Sequence, residues 1–420
     1  MRISIPKGTK DILPDEIVKY RYIENKFADI MQNYGYEQIR FPVFESTELF
    51  KRGVGDTTDI VQKEMYTFFD KSGRSLTLRP EGTASVVRSY IENGMSSNTQ
   101  PIKLFYNITA YRYENVQKGR YREFNQLGAE VIGSDSANTD VEIIAMLNMF
   151  FKKIGLNDLM LNINSIGCKQ CRKEYNEKLK LYYSDKISGM CEDCKERYQR
   201  NPMRLLDCKN AECAKLSEDA PKLLDNLCPS CDEHFKKVIK GLEEMGVQYV
   251  INKKIVRGLD YYERTVFEFV MNGIGAQDTV CGGGRYDGLV VELGGSDAPG
   301  IGFAMGVERL LSSIEKEGIV LPEKARPLIF FAYMGEKGYL KARELVNELR
   351  SKGIYCEIDV CERSLKAQLK FADKKNAKYC IVLGDNEIDT NKAIIKNMLD
   401  QESKEVSIDS IINRIIENKI

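Results

Sequence analysis

The sequence of 420 residues predicts an α+β protein with a smaller α/β domain at its C-terminal end. Residues 103–112 and 124–132 alternate apolar and polar side chains as strands do, and the polar segment between them suits the loop of an antiparallel hairpin. Residues 326–420 instead alternate strand-like and helix-like segments, which is typical of an α/β unit. The length alone favours roughly two to three domains.

The elements of the first half follow from periodicity and from chain breakers. Apolar residues recur every three or four positions over 15–34, which predicts an amphipathic helix. A short strand is predicted at 37–41, before Pro42, and another at 75–78. A helix is predicted at 84–92.

The second half is divided by a change of composition and by a linker. Residues 165–250 are rich in cysteine, lysine and glutamate, and we interpret them as a mainly helical insertion that splits a sheet domain of residues 1–164 and 251–320. Two prolines and a glycine in 317–327 indicate a linker. The elements predicted in the sheet domain after the insertion are strands at 264–270 and 278–281, glycine-rich segments at 282–288 and 294–302, and a helix at 303–316. In the tail they are strands at 328–332, 355–358 and 379–383, with helices at 337–352 and 363–376.

Composition excludes several classes of function. Lys+Arg and Asp+Glu are equal at 62 each, so any contact with RNA must come from a local basic patch. The start of the chain has no apolar signal core, and no apolar run approaches the ~18 residues of a membrane span, so we expect a cytoplasmic protein without membrane contact. A single histidine, His234, excludes a triad or metal site built on several histidines.

Eight of the twelve cysteines lie in 168–231 as four closely spaced pairs. In a cytosolic chain such pairs favour a structural metal over a disulfide framework. The pairs are Cys168 with Cys171, Cys191 with Cys194, Cys208 with Cys213, and Cys228 with Cys231. The first two pairs have a spacing close to that of a zinc ribbon, and eight thiols could form two four-cysteine zinc sites or one site with spares. The alternative is reduced surface cysteines, and His234 is either a substitute ligand or an ordinary helix residue.

Two polar segments of the first half suit a charged ligand. Glu81 and Thr83 lie where a predicted strand meets a predicted helix, and they could hold an ammonium group or simply cap the helix. Arg112, Arg120 and Arg122 flank the hairpin loop, where arginines suit phosphate oxygens, although a solvated charged hairpin is the alternative. Gln126, Gly128 and Glu130 alternate on the returning strand and are therefore predicted to share one face; the first and last could contact a ligand.

Three later segments add aromatic, glycine and arginine residues. Residues 257–262 place Arg257, Asp260, Tyr261 and Tyr262 together, which favours a small, charged, partly aromatic ligand. Consecutive glycines at 282–284 allow a ligand to approach the backbone closely, and neither a P-loop nor a dinucleotide-binding fingerprint is present. Arg309 follows the last glycine-rich segment on a predicted helix, and burial there would require an anion.

Five motifs together resemble the class II histidyl-tRNA synthetase family. They are R-P-E-G-T (79–83), the hairpin Y-R-Y-E…G-R-Y-R-E-F-N-Q…E (111–130), V-R-G-L-D-Y-Y (256–262), G-G-G-R-Y-D-G-L (282–289) and G-I-G-F-A-M-G-V-E-R-L (300–310). They occur in that family's order, and the resemblance extends over essentially the whole chain. It implies a class II antiparallel sheet with flanking helices and a C-terminal anticodon-binding domain.

The resemblance also implies site residues. The histidine substrate would be bound by Glu81, Thr83 and Gln126 at its ammonium, by Glu130 and Tyr262 at its imidazole, and by Tyr261 and Tyr286 along the pocket wall. The ATP phosphates would be bound by Arg112, Arg120 and Arg309. Arg257 would reach the histidine carboxylate and the α-phosphate, so Arg257 and Arg112 are the implied catalytic residues.

The implied reaction joins L-histidine to its tRNA through a histidyl-adenylate, with ATP and Mg²⁺. The helix at 15–34 and the strand before Pro42 resemble the family's dimer interface, so a homodimer is expected. In the tail, Arg363, Lys366, Lys370 and Lys374 recur at three or four residues and are predicted to contact the tRNA. The alternative is the family's non-catalytic paralogue, a regulatory subunit of ATP phosphoribosyltransferase.

Overall fold

The computed structural model describes residues 3–417 apart from 57, 118, 209, 256 and 272–277. The chain forms two compact units, Met1–Pro322 and Glu323–Ile420, and each is described by itself below. Among the described residues, no helix combines the length and the apolar character needed to cross a bilayer.

The first unit contains eleven strands and ten helices within its described residues. The strands are β1 (Glu37–Gln38), β2 (Phe44–Ser46), β3 (Thr67–Phe69), β4 (Ser75–Leu78), β5 (Ile102–Tyr111), β6 (Glu123–Ile132), β7 (Met160–Ser165), β8 (Val250–Ile251), β9 (Glu263–Val270), β10 (Thr279–Arg285) and β11 (Gly300–Gly306). The helices are α1 (Ile17–Asn33), α2 (Thr47–Val54), α3 (Thr83–Glu92), α4 (Ala137–Lys153), α5 (Lys169–Tyr183), α6 (Glu192–Arg200), α7 (Ala211–Leu216), α8 (Pro229–Glu244), α9 (Leu289–Glu292) and α10 (Val307–Lys316). Short 3₁₀ or π turns lie at Ile60–Glu64, Met95–Ser97, Ile187–Gly189, Pro202–Asp207 and Leu223–Asn226.

Eight of these strands form one sheet in the order β1-β5-β6-β11-β10-β9-β7-β8. The six central strands are antiparallel to one another, and only the edge strands β1 and β8 pair in parallel, with β5 and β7. The predicted hairpin is confirmed, with Tyr111 of β5 opposite Glu123 of β6. The α+β prediction with an antiparallel sheet core is therefore confirmed.

The two faces of this sheet have different roles because side chains alternate along each strand. On β6, Leu127, Ala129 and Val131 join the apolar core formed with α1, α4 and α10. Phe27 of α1 lies at the centre of that core, with its ring 6.0 Å from Phe105 and 5.7 Å from Phe150. The opposite face of the sheet carries the alternate residues and lies beneath a cavity.

One prediction about this sheet is wrong. A helix is predicted at 303–316, after the glycine-rich segment 294–302, but Gly300–Gly306 forms β11 and the helix begins only at Val307. The glycines are there because bulky groups lie against the strand. A Cβ added to Gly302 would lie 1.7 Å from an oxygen of Glu130.

Helices α5 to α8 make up the cysteine-rich segment, which leaves the sheet after β7 and returns at β8. The prediction that this segment is mainly helical is confirmed. Its buried residues, such as Tyr175 and Leu179, belong to the same apolar cluster as Tyr262 and Tyr286 of the sheet domain.

The second unit has a five-stranded mixed sheet in the order β13-β12-β14-β15-β16. Its elements are β12 (Ile329–Tyr333), α11 (Gly335–Ser351), β13 (Cys356–Ile358), α12 (Leu365–Lys374), β14 (Tyr379–Leu383), α13 (Asp385–Thr390), β15 (Lys392–Asn397), β16 (Ser403–Ser407), a 3₁₀ turn at Ile408–Ser410, and α14 (Ile411–Ile416). The predicted βαβαβ order is confirmed, with β12 parallel to β13 and β14. The antiparallel strands β15 and β16 were not predicted.

Candidate active site

A cavity of about 930 Å³ lies on the open face of the sheet in the first unit. Its lining includes nine of the predicted ligand-binding residues, namely Glu81, Thr83, Arg112, Arg120, Gln126, Arg257, Tyr261, Tyr262 and Arg309. They come from segments far apart in sequence, which meet because β6, β11, β10 and β9 are neighbours in the sheet. Val256, the first residue of the V-R-G-L-D-Y-Y motif, lies outside the described residues.

Small residues lie in register across three strands at the floor of this cavity. Gly128 of β6 faces Ala304 of β11, and Ala304 in turn faces Gly282 of β10. The row is flanked by larger side chains, because Tyr106 of β5 faces Gly128 and Glu268 of β9 faces Gly282. The two glycines make room for side chains on the floor, since a Cβ added to Gly128 would lie 2.4 Å from Cζ of Tyr106 and one added to Gly282 would meet Arg257.

Glu81 is held at the N-terminus of α3. Its carboxylate accepts hydrogen bonds from the backbone N–H of Thr83 at 2.7 Å and of Ala84 at 2.8 Å. Burial raises the pKa of Glu81, although these amides and the charge of Arg112 oppose the rise. The two roles considered for Glu81, helix cap and ammonium ligand, are compatible, since the carboxylate that caps the helix also lines the cavity.

Glu130 of β6 lies beneath Thr83, and its side chain is fully buried. It accepts hydrogen bonds from the hydroxyls of Thr83 at 2.8 Å, Tyr286 at 2.7 Å and Tyr106 at 3.2 Å. Burial raises its pKa to about 8, although the hydroxyls of Tyr286 and Thr83 oppose the rise. Because Glu130 and Tyr286 are not among the lining residues, Glu130 is linked to the cavity through Thr83.

Gln126 supplies an acceptor on the cavity wall. Within the described part of the chain, its buried Oε1 atom has no hydrogen-bond partner. A buried amide oxygen in this state favours a ligand that donates a hydrogen bond, such as an ammonium group. Tyr261 and Tyr262 lie nearby with ring centroids 4.6 Å apart, and Tyr261 contacts Tyr286 edge to face at 5.8 Å.

Arg257 crosses the floor and forms an ion pair with Glu268. Its guanidinium also lies over the ring of Tyr262, 5.4 Å from the centroid. A Cβ added to Gly282 would lie 2.4 Å from Nη2 of Arg257, so only glycine leaves room for this arginine. Burial opposes the charge of Arg257, but Glu268 and the tyrosines more than offset it, and its pKa lies above the ordinary value.

Arg112, Arg120 and Arg309 form a positively charged wall of the cavity. Arg112 donates from Nε to the backbone oxygen of Pro80 at 2.8 Å and lies over the ring of Phe124. Arg309 donates to the backbone oxygen of Thr279 at 2.8 Å. Burial lowers the pKa of all three arginines, and the charges of Arg120 and Arg112 lower that of Arg309 further. The buried Glu114 forms an ion pair with Arg120 and lies 3.8 Å from Arg112, so these two arginines share one carboxylate and the excess positive charge of the wall suits a polyanion.

Arg122, the fourth arginine of the hairpin, contributes differently. It lies over the ring of Tyr113, 3.7 Å from the centroid, and donates to the backbone oxygen of Glu114. It is not among the residues that line the cavity.

The eight cysteines of the insertion come together as two groups of four. Cys168, Cys171, Cys228 and Cys231 form the first cysteine cluster, and Cys191, Cys194, Cys208 and Cys213 form the second. The zinc-ribbon spacing would have joined Cys171 with Cys194, and that grouping is wrong. His234 belongs to neither cluster, because its Nε2 lies 3.2 Å from Asp140, which also binds Arg285.

The basic residues of the tail are only partly on one helix. Lys366, Lys370 and Lys374 are exposed and lie four residues apart on α12. Arg363 precedes the helix and forms an ion pair with the buried Asp359 at 2.6 Å, so the prediction that it lies on the helix face is wrong. A tRNA contact by these residues stays a prediction.

Three important side chains were missed by sequence reasoning. Tyr106 binds Glu130, Glu268 pairs with Arg257, and Phe124 lies under Arg112. Glu268 offered one signal, since it interrupts an otherwise mostly apolar strand, V-F-E-F-V. Tyr106 and Phe124 had none, because each fits an ordinary strand pattern.

Comparisons with known proteins agree with this geometry. A family model described as "Histidyl-tRNA synthetase" matches residues 8–310, and one described as "Anticodon binding domain" matches residues 329–418. A histidine–tRNA ligase of Acetivibrio thermocellus is 58% identical over 415 residues, which cover 99% of this chain and 100% of the relative. The crystal structure of apo histidyl-tRNA synthetase from S. aureus has a TM-score of 0.84 at 42% identity and covers 98% of this chain and 99% of its own.

A more distant structure bears on the regulatory alternative. A protein from Bacillus halodurans C described as an ATP phosphoribosyltransferase regulatory subunit/histidyl-tRNA synthetase has a TM-score of 0.65 at 23% identity, and covers 91% of this chain and 99% of its own. At that identity the similarity extends to the fold alone. With the full-length match to the Acetivibrio ligase, the chain belongs to the histidyl-tRNA synthetase family.

Proposed function

We propose that the chain ligates L-histidine to its cognate tRNA through a histidyl-adenylate intermediate. The observation that carries the proposal is the juxtaposition, in one cavity, of buried acceptors and a wall of arginines. Glu81 and the unpartnered Oε1 of Gln126 suit an ammonium group, and Arg112, Arg120 and Arg309 suit a polyphosphate. An amino acid and ATP are the substrates that this combination fits.

In the first step, the histidine carboxylate attacks the α-phosphorus of ATP and pyrophosphate leaves. We assign Arg257 to both the carboxylate and the α-phosphate, and its ion pair with Glu268 on the cavity floor supports this role. No general base is needed, because a carboxylate is already a nucleophile at neutral pH. Positioning and neutralisation of negative charge therefore carry this step.

Recognition of the imidazole involves Glu130, Tyr262 and the neighbouring tyrosines. Glu130 is a buried acid linked to the cavity through the hydroxyl of Thr83, so a ring N–H bound in place of that hydroxyl would keep the acid paired. A site built for such bonds rejects amino acids that cannot make them.

The cofactors follow from the same chemistry. Mg²⁺ enters with ATP, and carboxylate oxygens on the cavity wall are ligands of the kind that Mg²⁺ prefers. The eight insertion cysteines bind structural zinc, for which four thiolates form a closed site without a catalytic position.

The tRNA, the dimer and the location complete the proposal. Lys366, Lys370 and Lys374 contact the tRNA from α12. A homodimer forms through the predicted interface at the helix of residues 15–34 and the chain before Pro42. The exposed apolar residues of the neighbouring small sheet β2-β4-β3, such as Phe44 and Phe69, support this interface. The protein acts in the cytoplasm, where its tRNA substrate is.

The test is histidine-dependent exchange of pyrophosphate into ATP, without tRNA, for the wild type, Arg257→Ala and the control Arg21→Ala on the exposed face of α1. We expect exchange with histidine alone among the amino acids, its loss in Arg257→Ala, and no change in the control. Absence of exchange from folded wild-type protein would contradict the proposal and favour the regulatory paralogue.

A further inference from the structure

The two cysteine clusters have the dimensions of two separate four-thiolate metal sites. Within each cluster all four sulfurs lie within 4.8 Å of one another. A tetrahedral zinc with Zn–S bonds of about 2.3 Å places its sulfurs about 3.8 Å apart. The sulfurs of Cys168 and Cys171 are 3.6 Å apart and those of Cys191 and Cys208 are 3.7 Å apart, far beyond the ~2.05 Å of a disulfide.

Backbone amides in both clusters point at sulfur. The N–H of Cys228 donates to Sγ of Cys171 at 3.1 Å, and the N–H of Cys191 donates to Sγ of Cys213 at 3.2 Å. Such donors stabilise the negative charge of thiolates that bind a metal. In each cluster two sulfur-bearing residues are buried and two are partly exposed, so a metal ion has a route of entry.

The first cysteine cluster lies next to an arginine that holds the substrate-binding segment. Arg172 follows Cys171 directly in α5. Its Nη1 donates to the backbone oxygens of Tyr262 at 2.9 Å and Asp260 at 3.3 Å, and its Nη2 donates to Glu263 at 3.2 Å.

A second arginine that binds the 257–262 segment lies between two cysteines of the second cysteine cluster in the sequence. Arg204 lies in the 3₁₀ turn Pro202–Asp207, between the ligand candidates Cys194 and Cys208. Its buried Nη2 donates to the backbone oxygen of Gly258 at 2.8 Å and lies 3.5 Å from the carboxylate of Asp260. The buried Met203 and Leu205 pack the turn into the apolar cluster, and the ligand candidates Cys194 and Cys208 lie on either side of it in the chain.

We infer that the chain binds two zinc ions independently, one in each cysteine cluster, and that the ions position Arg172 and Arg204, which hold residues 257–262 in place for histidine binding. Neither ion takes part in the chemistry, because four thiolates leave no open coordination position. The link to histidine binding rests on the proposed function, whereas the two metal sites do not.

The first experiment counts metals in the full-length protein. Protein purified with a thiol reductant and dialysed against metal-free buffer is analysed for zinc by mass spectrometry. We expect two zinc ions per chain in the wild type and in the control Cys361→Ser, whose cysteine is exposed in the C-terminal unit. Cys168→Ser with Cys171→Ser, and separately Cys191→Ser with Cys194→Ser, should each retain one. A wild type without zinc, or a double variant that loses both ions, overturns the inference.

Cobalt gives a second readout that needs no variant. Wild-type protein refolded with Co²⁺ should show the visible absorption and intense thiolate charge-transfer bands of tetrahedral Co–S₄ coordination, saturating at two equivalents. Saturation at one equivalent would contradict two sites.

The second experiment tests the link to the active site through Arg204. Arg204→Ala should keep two zinc ions but raise the KM for histidine about tenfold in pyrophosphate exchange, because it loses charged hydrogen bonds to the segment. The value of kcat should change less, and Arg204→Lys should recover part of the loss. An unchanged KM for histidine in Arg204→Ala overturns the link. Two zinc ions in a wild type without exchange activity would instead contradict the proposed function and leave the metal sites standing.

Discussion

Glu268 of β9 accepts a hydrogen bond from Nη1 of Arg257 and so fixes the guanidinium across the floor of the cavity. The two side chains are 21% and 16% exposed, so the pair is largely shielded from solvent. Gly282, opposite Glu268 on β10, provides the space through which the arginine reaches it. The orientation of Arg257 therefore depends on the carboxylate of Glu268, which lies on another strand of the sheet and outside the 257–262 segment.

Replacing this carboxylate tests how far orientation matters. Glu268→Gln retains an acceptor but removes the charge, and we expect kcat/KM for histidine in pyrophosphate exchange to fall about tenfold or more. The control is Glu142→Gln on α4, whose partner Lys103 lies on another part of the unit. Equal rates for the two variants would show that Arg257 needs no such partner.

The raised pKa of Glu130 predicts a pH dependence of stability. Between its ordinary pKa of 4.5 and its folded value of about 8, the folded state retains a proton that the unfolded state has lost. The free energy of unfolding should therefore fall as pH rises through this window, by at most about 1.4 kcal/mol per pH unit from this group. Glu130→Gln removes the titrating group, so its melting temperature should fall less than that of the wild type between about pH 5 and about pH 8. Parallel curves from calorimetry would contradict the assignment.

The arginine wall predicts a selective effect on ATP. Arg309→Ala should raise the KM for ATP about tenfold or more, because a charged hydrogen bond to phosphate is lost, while the KM for histidine changes less. Arg74→Ala, an exposed arginine paired with Asp70, is the matched control. A rise in the KM for histidine alone would contradict the assignment of Arg309 to ATP.

The lysines of α12 predict a separation of the two half-reactions. Charge reversal of Lys366, Lys370 and Lys374 to Glu should lower tRNA charging about tenfold or more and leave pyrophosphate exchange unchanged, since only the first reaction involves tRNA. Reversal of Lys337, Lys352 and Lys404, which are exposed elsewhere in the same unit, controls for net charge. If both triple variants charge tRNA equally well, α12 is not the contact.

The exposed aromatic residues of the small sheet predict the dimer interface. Phe44 is 53% exposed and Phe69 is 73% exposed. Phe44→Asp with Phe69→Asp should convert a homodimer to a monomer in light-scattering measurements, because buried carboxylates destabilise an apolar interface. Leu181→Asp alters an equally exposed apolar residue, 78% exposed, on the insertion and should remain dimeric. If the protein with both substitutions is still a dimer, the interface lies elsewhere.

The sequence was informative where one physical rule dominates. Strand alternation predicted the β5–β6 hairpin because one face of that hairpin packs on helices and the other carries Gln126 and Glu130. The same rule failed at β11, where the sequence predicts a glycine-rich segment followed by a helix from residue 303. In β11, Tyr286 lies against Gly300 and Glu130 lies against Gly302, so a side chain has no room at either position. This steric limit outweighs the preference of strands for larger residues.

Pairings between distant residues could not be predicted in the same way. Spacing identified four cysteine pairs but not that Cys171 lies with Cys228, since that depends on how α5 and α8 pack. Glu268 was missed for a related reason. Its role depends on Arg257, eleven residues away, reaching across the sheet through the gap at Gly282.

Arg172 and Arg204 hold residues 257–262, the segment that we propose binds histidine, mainly by its carbonyl oxygens, at Gly258, Asp260 and Tyr262. Every amino acid carries that oxygen, so the path of the segment is largely independent of which side chains it presents. Substitutions at Tyr261 or Tyr262 can therefore change the shape of the pocket while the main chain keeps its course. For protein engineers, this makes the segment a place where the choice of amino-acid substrate can be redesigned separately from the scaffold that supports it.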